Sequence, residues 1–162
     1  MTAAVALQRP ALWQIPQPQA EVFARLPEKT AQLRARLQAI DAQFQRVKFA
    51  SSLAVEDMVI TDQLARLAAP VEVFMLETGR LNAETLAYAE VVRARYPALD
   101  FRLYHPDAQE VAEYVEAHGL NAFYQSVELR KRCCFIRKVA PLNRALADAD
   151  AWLTGQRRAQ SV

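Results

Sequence analysis

Glycine, cysteine and histidine are scarce in this chain, which has three, two and two of them among 162 residues. The cysteines, Cys133 and Cys134, stand side by side and give no disulfide framework, because adjacent residues form a disulfide only with strain. We therefore expect a protein of a reducing compartment, the cytoplasm. His105 and His118 both lie beside turn residues and lack the pattern of a metal site or catalytic triad. We interpret both as structural or exposed.

Long uninterrupted apolar stretches are also missing. Because no run of about 18 uncharged apolar residues occurs, we expect no membrane span. Residues 1–14 lack a basic start followed by an apolar core, which argues against a secretory signal. The composition, 52% hydrophobic and 23% charged, is that of a globular protein long enough to bury a sizeable core.

Charge is unevenly distributed along the chain, although the net charge is only +2. Residues 1–127 carry 12 basic and 15 acidic side chains, whereas residues 128–162 carry 8 basic and 3 acidic ones. The basic C-terminal part favours an anionic ligand, with a solvated helix face as the alternative. A nearly neutral chain without a basic and aromatic motif argues against a nucleic-acid partner.

Hydrophobic periodicity predicts strands that alternate with helices. An irregular lead-in over residues 1–20 precedes an amphipathic helix over residues 28–44. The predicted strands are residues 46–53, 71–76, 99–104 and 151–153. This alternation favours an α/β fold with a mostly parallel, doubly wound sheet.

Three of the predicted strands end in residues suited to bind an anion. A strand, a small polar loop and a helix follow one another at Ser51 and Ser52, an arrangement that directs backbone N–H groups at a phosphate. The other two strand ends carry Thr78-Gly79-Arg80 and Thr154-Gly155-Gln156-Arg157-Arg158. Because the ends of parallel strands gather at one edge of a sheet, we expect a nucleotide-like ligand there. Taken singly, each loop could instead be a helix cap or a plain turn.

Residues 130–138 contain both cysteines and five basic residues but no acid. Thiolates bind soft metals, so this stretch could hold an iron–sulfur cluster beside an anionic ligand. The alternative is two ordinary buried cysteines. Helical spacing places Cys133 on the buried face, and places Arg130 and Lys138 on the face of Cys134. We expect Pro141 to begin a new helix.

Four short motifs follow one another along the chain. They are Phe-Ala-Ser-Ser-Leu-Ala-Val-Glu-Asp-Met-Val (49–59), Leu-Glu-Thr-Gly-Arg-Leu (76–81), Lys-Arg-Cys-Cys (131–134) and Thr-Gly-Gln-Arg-Arg (154–158). In this order they resemble the motifs of the sulfonucleotide reductases of assimilatory sulfate reduction. The resemblance implies the PP-loop, Rossmann-like fold of the adenine-nucleotide alpha-hydrolases. We expect a lead-in and helix over residues 1–45 and the nucleotide-binding domain over residues 46–162.

The resemblance also implies roles for single residues. Cys133 and Cys134 match two of the four ligands of a 4Fe-4S cluster. Lys138 matches a lysine that links cluster and substrate electrostatically. The implied substrate-binding residues are Ser51, Ser52, Leu76, Thr78, Gly79, Arg80, Thr154, Gly155, Arg157 and Arg158.

Paired cysteines are typical of the branch of this family that acts on adenylyl sulfate. The resemblance therefore implies thioredoxin-dependent reduction of adenylyl sulfate to sulfite and AMP in cysteine biosynthesis, with thioredoxin or glutaredoxin as the partner. We expect a homo-oligomer. Phosphoadenylyl sulfate is the alternative substrate. An ATP pyrophosphatase of the same fold and a non-catalytic nucleotide-binding module, including a dimer bridged by a cluster, are the alternative functions.

The sequence departs from the family's pattern in three respects. Leu53-Ala54 stands where many relatives have glycine, and Glu77 replaces an aspartate. The family's second cysteine pair and its C-terminal Glu-Cys-Gly-Leu-His segment, which holds the catalytic nucleophile, do not occur in the 162 residues. We therefore expect the N-terminal portion of a reductase, without a catalytic cysteine and without turnover on its own.

Overall fold

The computed structural model describes residues 19–157 and residue 160. Each predicted strand is present, and the first three strands alternate with helices, whereas three helices lie between the third strand and the fourth. The elements are α1 (Ala20–Gln43), β1 (Val47–Ala50), α2 (Val55–Leu67), β2 (Glu72–Leu76), α3 (Ala83–Arg95), β3 (Phe101–Tyr104), α4 (Ala108–His118), α5 (Val127–Cys134), α6 (Ala140–Leu146) and β4 (Ala151–Thr154). A short 3-10 turn at Ala122–Tyr124 precedes α5, and a wide π-helical turn at Phe135–Val139 joins α5 to α6.

The four strands form one parallel sheet in the order β3-β2-β1-β4. In its register, Phe49 of β1 lies opposite Val73 of β2 on one side and Leu153 of β4 on the other. The chain adds β2 and β3 on one side of β1 and then crosses back to add β4 on the other side. The strand order therefore reverses between β1 and β4, which is where open α/β sheets bind ligands. This architecture confirms the predicted α/β fold with a parallel sheet.

One face of the sheet packs against the first three helices. Val47 and Phe49 of β1 alternate along the strand and point into this layer with Val73 of β2. Leu37 of α1, Leu64 of α2 and Ala89 and Val92 of α3 cover them in the same buried cluster. Burial of apolar side chains at this interface is the main source of stability, at about 1.5–3 kcal/mol for each large side chain.

The opposite face of the sheet contains a buried lysine. Lys48 of β1 donates a hydrogen bond from Nζ to the carbonyl oxygen of Ala145 in α6, at 2.6 Å. Its Nζ also lies 2.7 Å from Oδ1 of Asp148 and 3.5 Å from Oε1 of Glu72. Burial disfavours the ammonium form, but the hydrogen bond to Asp148 and the charge of Glu72 outweigh it, so the pKa of Lys48 is raised. The lysine thereby ties α6 and the approach to β4 onto the sheet.

The first helix is longer than predicted. It begins at Ala20 instead of Glu28 and includes Pro27. Its second half packs onto the body of the protein through Leu37, whereas Val22 and Phe23 in the first half are exposed. The amphipathic pattern detected only the half that is buried. The predicted lead-in over residues 1–20 lies mostly outside the described residues.

The prediction of a new helix at Pro141 is confirmed to within one residue, because Pro141 lies in the first turn of α6. The helical path from α5 runs through the π-helical turn into α6, which begins at Ala140. Proline has no N–H to donate to the carbonyl group one turn earlier, and a widened turn before it accommodates that loss. The extra residue in the turn also shifts the buried stripe, because Pro141 is buried and Ala140 only half-buried.

None of the helices in the part of the chain that the structure describes has both the length and the hydropathy needed to cross a membrane.

The ion pair of Lys48 and Asp148 predicts a pH-dependent stability. The hydrogen bond that Lys48 donates holds the pKa of Asp148 below its ordinary value of 3.8. The stabilisation that the ionised Asp148 carboxylate provides is therefore present above pH 3.8. It is lost as the pH falls through the lowered pKa that Asp148 has in the folded state. We expect Asp148→Asn to lower the free energy of unfolding at about pH 7, and this difference to shrink towards about pH 3, as measured by urea unfolding.

The control for this experiment is Asp41→Asn, at an exposed position on α1. It removes the same charge without touching Lys48. An equal loss of stability in both variants at neutral pH would contradict the assignment to the ion pair.

Candidate functional site

A cleft of about 500 Å³ opens at the carboxyl ends of β1, β2 and β4. It lies at the reversal of strand order, where the ends of β1 and β4 are neighbours although about 100 residues separate them in the sequence. Predicted site residues from three separate segments line it, together with Lys138 from the π-helical turn. They are Ser51, Ser52, Leu76, Thr78, Lys138, Thr154 and Gly155.

The loop after β1 is held by hydrogen bonds within the protein. Ser51 donates its N–H to the carbonyl oxygen of Phe74 at 2.8 Å, which continues the pairing with β2. The N–H and the hydroxyl of Ser52 both donate to Oδ2 of Asp57 in the first turn of α2, each at 2.7 Å. Leu53, which stands where many relatives have glycine, adopts a positive φ of 63°. A non-glycine residue there carries about 1–2 kcal/mol of strain, and its side chain packs against the core.

The segment after β4 closes onto the same turn of α2. A side chain on Gly155 would place its Cβ only 2.0 Å from Oδ1 of Asp57 and 3.1 Å from the backbone nitrogen of Asp57. Glycine is therefore required by this close approach. Arg157 pairs with Glu56 at 2.9 Å, and Gln160 accepts a hydrogen bond from the N–H of Arg157 and donates one to Glu56. The predicted site residue Arg158 lies outside the described residues.

The turn after β2 is built around Thr78 and Gly79. Oε1 of Glu77 accepts a hydrogen bond from the N–H of Gly79 at 2.8 Å. Gly79 has a φ of +69°, and a Cβ there would lie 2.9 Å from Nη1 of Arg137. That guanidinium is 7% exposed and donates to the carbonyl oxygen of Thr78 at 2.8 Å. Arg137 thus ties the cysteine-bearing helical segment to the wall of the cleft.

Arg80 does not join the residues that line the cleft. Its guanidinium donates to Oδ1 of Asn121 at 2.9 Å and lies over the ring of Phe123 at 5.4 Å. It therefore holds the 3-10 turn at Ala122–Tyr124 next to the loop after β2. The sequence placed Arg80 at the correct strand end but could not give the direction of its side chain.

The two cysteines lie on α5, one helical turn from Lys138, and do not line the cleft themselves. Cys133 is half-buried against the small cluster of Tyr114 and Ile136, whereas Cys134 is exposed. This agrees with the predicted placement of Cys133 on the inner face. Burial raises the pKa of Tyr114.

Both histidines are exposed, in agreement with their interpretation from the sequence. Nδ1 of His105 lies 3.3 Å from Oε2 of Glu77, and the ring of His118 packs edge-on against Tyr114. Within the described ranges, no group of three or more histidine, cysteine, aspartate or glutamate side chains could hold a metal ion.

Reasoning from the sequence missed two residues of the site. Asp57 was recognised only as part of a motif, although its position in the first turn of α2 is where a side chain can bond back to the preceding loop. Arg137 was recognised only as one basic residue among five. Its burial follows from the π-helical turn, which no feature of the sequence apart from Pro141 indicates.

Comparison with known proteins identifies the family of this chain. Residues 46–162 match the family of the phosphoadenosine phosphosulfate reductase domain. An adenosine 5'-phosphosulfate reductase of Burkholderia cepacia is 55% identical over 137 residues, which cover 85% of this chain and 54% of the relative. One of Neisseria meningitidis serogroup B is 49% identical over 156 residues, which cover 96% and 63%. The chain thus spans between about half and two thirds of the length of these curated relatives.

A solved structure has the same fold. The crystal structure of phosphoadenylyl-sulfate reductase from Candida auris, a phosphate complex, superposes with a TM-score of 0.68. The match covers 91% of this chain and 72% of that chain, at 22% sequence identity. At this level of identity the likeness concerns the fold alone.

The contact between Gly155 and Asp57 gives a testable prediction. We expect Gly155→Ala to lower the free energy of unfolding by about 1–3 kcal/mol, because the added methyl group overlaps the buried carboxylate. In an Asp57→Ala background the overlap is gone, so most of this cost should disappear. Urea unfolding of the unsubstituted chain, the two single variants and the double variant measures the coupling energy between the two positions. An equal cost of Gly155→Ala in both backgrounds would contradict the contact.

Proposed function

Because the chain belongs to the phosphoadenosine phosphosulfate reductase domain family, we propose that it forms the nucleotide-binding part of an adenylyl-sulfate reductase. The observation that carries the proposal is the convergence of Ser51, Thr78, Thr154 and Lys138 on one cleft at the reversal of strand order. Hydroxyl groups and a cation at this edge suit an adenine nucleotide with a phosphosulfate group. The names of the relatives favour adenylyl sulfate over phosphoadenylyl sulfate, which remains the alternative substrate.

The described residues contribute charge neutralisation to the proposed reaction. Lys138 lines the cleft and donates to the phosphosulfate, where it stabilises the negative charge that moves onto the leaving phosphate. Arg137 acts differently, because its guanidinium is committed to the carbonyl oxygen of Thr78. It fixes the distance between the loop after β2 and the helical segment that presents Lys138.

The proposed reduction needs a nucleophilic thiolate and a dithiol. The thiolate attacks the sulfur of adenylyl sulfate, an S–S bond forms as the S–O bond to phosphate breaks, and AMP leaves with the electron pair. Thioredoxin or glutaredoxin then releases sulfite and is oxidised to its disulfide. Cys133 and Cys134 are assigned to iron in this proposal, so the attacking thiolate comes from outside residues 1–162.

The donor set at Cys133 and Cys134 fits half of a 4Fe-4S cluster. A cubane of this kind needs four protein ligands, and the two thiols can supply two of them. The basic residues around them suit a cluster that carries thiolate charge. When bound, the cluster would organise the site and polarise the substrate through Lys138. The other two ligands would come from beyond these residues or from a second copy of the chain.

Substitution of Lys138 tests the proposed site. We expect Lys138→Gln to weaken binding of adenylyl sulfate by about 10-fold to 100-fold, because a charge-assisted hydrogen bond is lost. Isothermal titration calorimetry measures the affinity. Lys131→Gln is the matched control, since Lys131 is an exposed residue of α5 outside the cleft.

Two results would count against this site. Equal effects of both lysine substitutions would show general attraction of an anion instead of a contact in the cleft. Tighter binding of ATP than of adenylyl sulfate by the unsubstituted chain would favour an ATP pyrophosphatase of the same fold.

The cysteines are tested by iron binding. After anaerobic reconstitution with iron and sulfide, we expect Cys133→Ser and Cys134→Ser each to lower the iron and sulfide retained, and Arg132→Gln to leave them unchanged. Retention of one cluster per two chains would indicate ligands from two copies and support the bridged dimer. If the variant that lacks both cysteines retained as much iron and sulfide as the unsubstituted chain, Cys133 and Cys134 would be ordinary packing residues and not ligands.

A further inference from the structure

The loop after β1 already holds an anion of the protein itself. Both hydrogen-bond donors of Ser52, its N–H and its hydroxyl, are directed at Oδ2 of Asp57 at 2.7 Å. In a strand–loop–helix arrangement these are donors that a bound phosphate would use. Asp57 is 6% exposed, so its carboxylate is enclosed in the protein and not merely facing the loop.

The segment after β4 keeps this carboxylate in place. Gly155 approaches so closely that a single added carbon would overlap Oδ1 of Asp57. Oδ2 of Asp57 therefore accepts both hydrogen bonds from Ser52, whereas Oδ1 is covered by the backbone of Gly155 in the segment after β4. A ligand that used the donors of Ser52 would therefore have to displace this buried carboxylate.

The second acidic residue of the same helical turn acts on the other side of the loop. Glu56 accepts from Arg157 at 2.9 Å and from Gln160 at 3.3 Å. The positive charge of Arg157 is thus partly neutralised before any ligand arrives. Two carboxylates in the first turn of α2 also offset the partial positive charge of the helix N-terminus. Among the described residues, the two donors of Ser52 and the cation of Arg157 are thus satisfied from within the chain.

We propose that Glu56 and Asp57 determine which nucleotides the cleft accepts, by excluding the β- and γ-phosphates of a nucleoside triphosphate from the loop after β1. The terminal anionic group of the ligand is left to the side of the cleft where Lys138 lies. This inference rests on the proposed function, which places an adenine nucleotide in the cleft. It goes further in naming the residues that separate a sulfonucleotide site from an ATP site on this fold.

The test compares AMP with ATP, because both carry the adenosine and first phosphate and only ATP carries the excluded groups. Equilibrium dialysis of the full chain in EDTA prevents a cation from bridging phosphates and carboxylates. We expect Asp57→Asn to increase ATP affinity relative to AMP by about tenfold or more, because it removes the like charge and keeps the shape. Glu56→Gln should give a smaller increase, about threefold.

Glu84→Gln is the matched control, because Glu84 is an exposed acidic residue in the first turn of α3. It should leave the ratio of the two affinities unchanged. Thermal unfolding reports whether each variant is folded, and if Asp57→Asn does not fold, Glu56→Gln decides the question by itself.

Three results would overturn the inference. The ratio of ATP to AMP affinity could stay constant in the folded variants. Asp57→Asn could weaken both nucleotides equally, which would make Asp57 a support for Ser52 and not an excluding charge. Failure of the unsubstituted chain to bind AMP would remove the proposed nucleotide site, and this inference with it. Binding of AMP with an unchanged ratio would remove the inference alone.

Discussion

The reversal of strand order at β1 is the constraint on which the candidate site depends. Because β2 and β3 follow on one side of β1 and β4 on the other, the ends of β1 and β4 become neighbours. The two loops that leave these ends cannot both be covered by the same crossover helix, so a cleft remains between them. Ser52 and Gly155 meet there only because the sheet is parallel and because Lys48 holds α6 and the approach to β4 against it.

A second connection joins this cleft to the cysteines. The π-helical turn at Phe135–Val139 directs Arg137 inward to the carbonyl oxygen of Thr78, while Lys138 lines the cleft. A buried guanidinium that loses its partner is costly, so this contact fixes the position of the helical segment strongly. Any ligand bound by Cys133 and Cys134 would therefore be held at a fixed position relative to the loop after β2. The proposed electrostatic role of Lys138 needs this fixed distance, because Coulomb interactions change steeply with separation and exposure.

Much of this arrangement could be predicted from the sequence, for reasons that differ between residues. Strands stood out because apolar residues cluster between turn residues, and the strand ends because serine, threonine, glycine and cations follow them. The π-helical turn could not be predicted, since helical periodicity assumes a regular spacing that the turn at Phe135–Val139 interrupts. The direction of Arg80 could not be predicted either, because it depends on a contact with Asn121, 41 residues later. Local sequence pattern indicates where an element or a strand end lies along the chain, whereas tertiary packing determines which groups a long side chain contacts.

Asp57 shows why composition alone is a poor guide to an anion site. A count of serines and cations at the strand ends indicates a site for several negative charges, and so would favour a polyphosphate. In the structure some of these groups are already engaged, because the donors of Ser52 bond to Asp57 and the cation of Arg157 pairs with Glu56. Among the residues that the structure describes, Lys138 and the hydroxyl groups of Ser51, Thr78 and Thr154 remain available in the cleft. A single cation balances a small, singly charged terminal group such as a sulfate far better than it balances a chain of phosphates. Selectivity at such a site is set as much by the anions that the protein places in it as by the cations it offers.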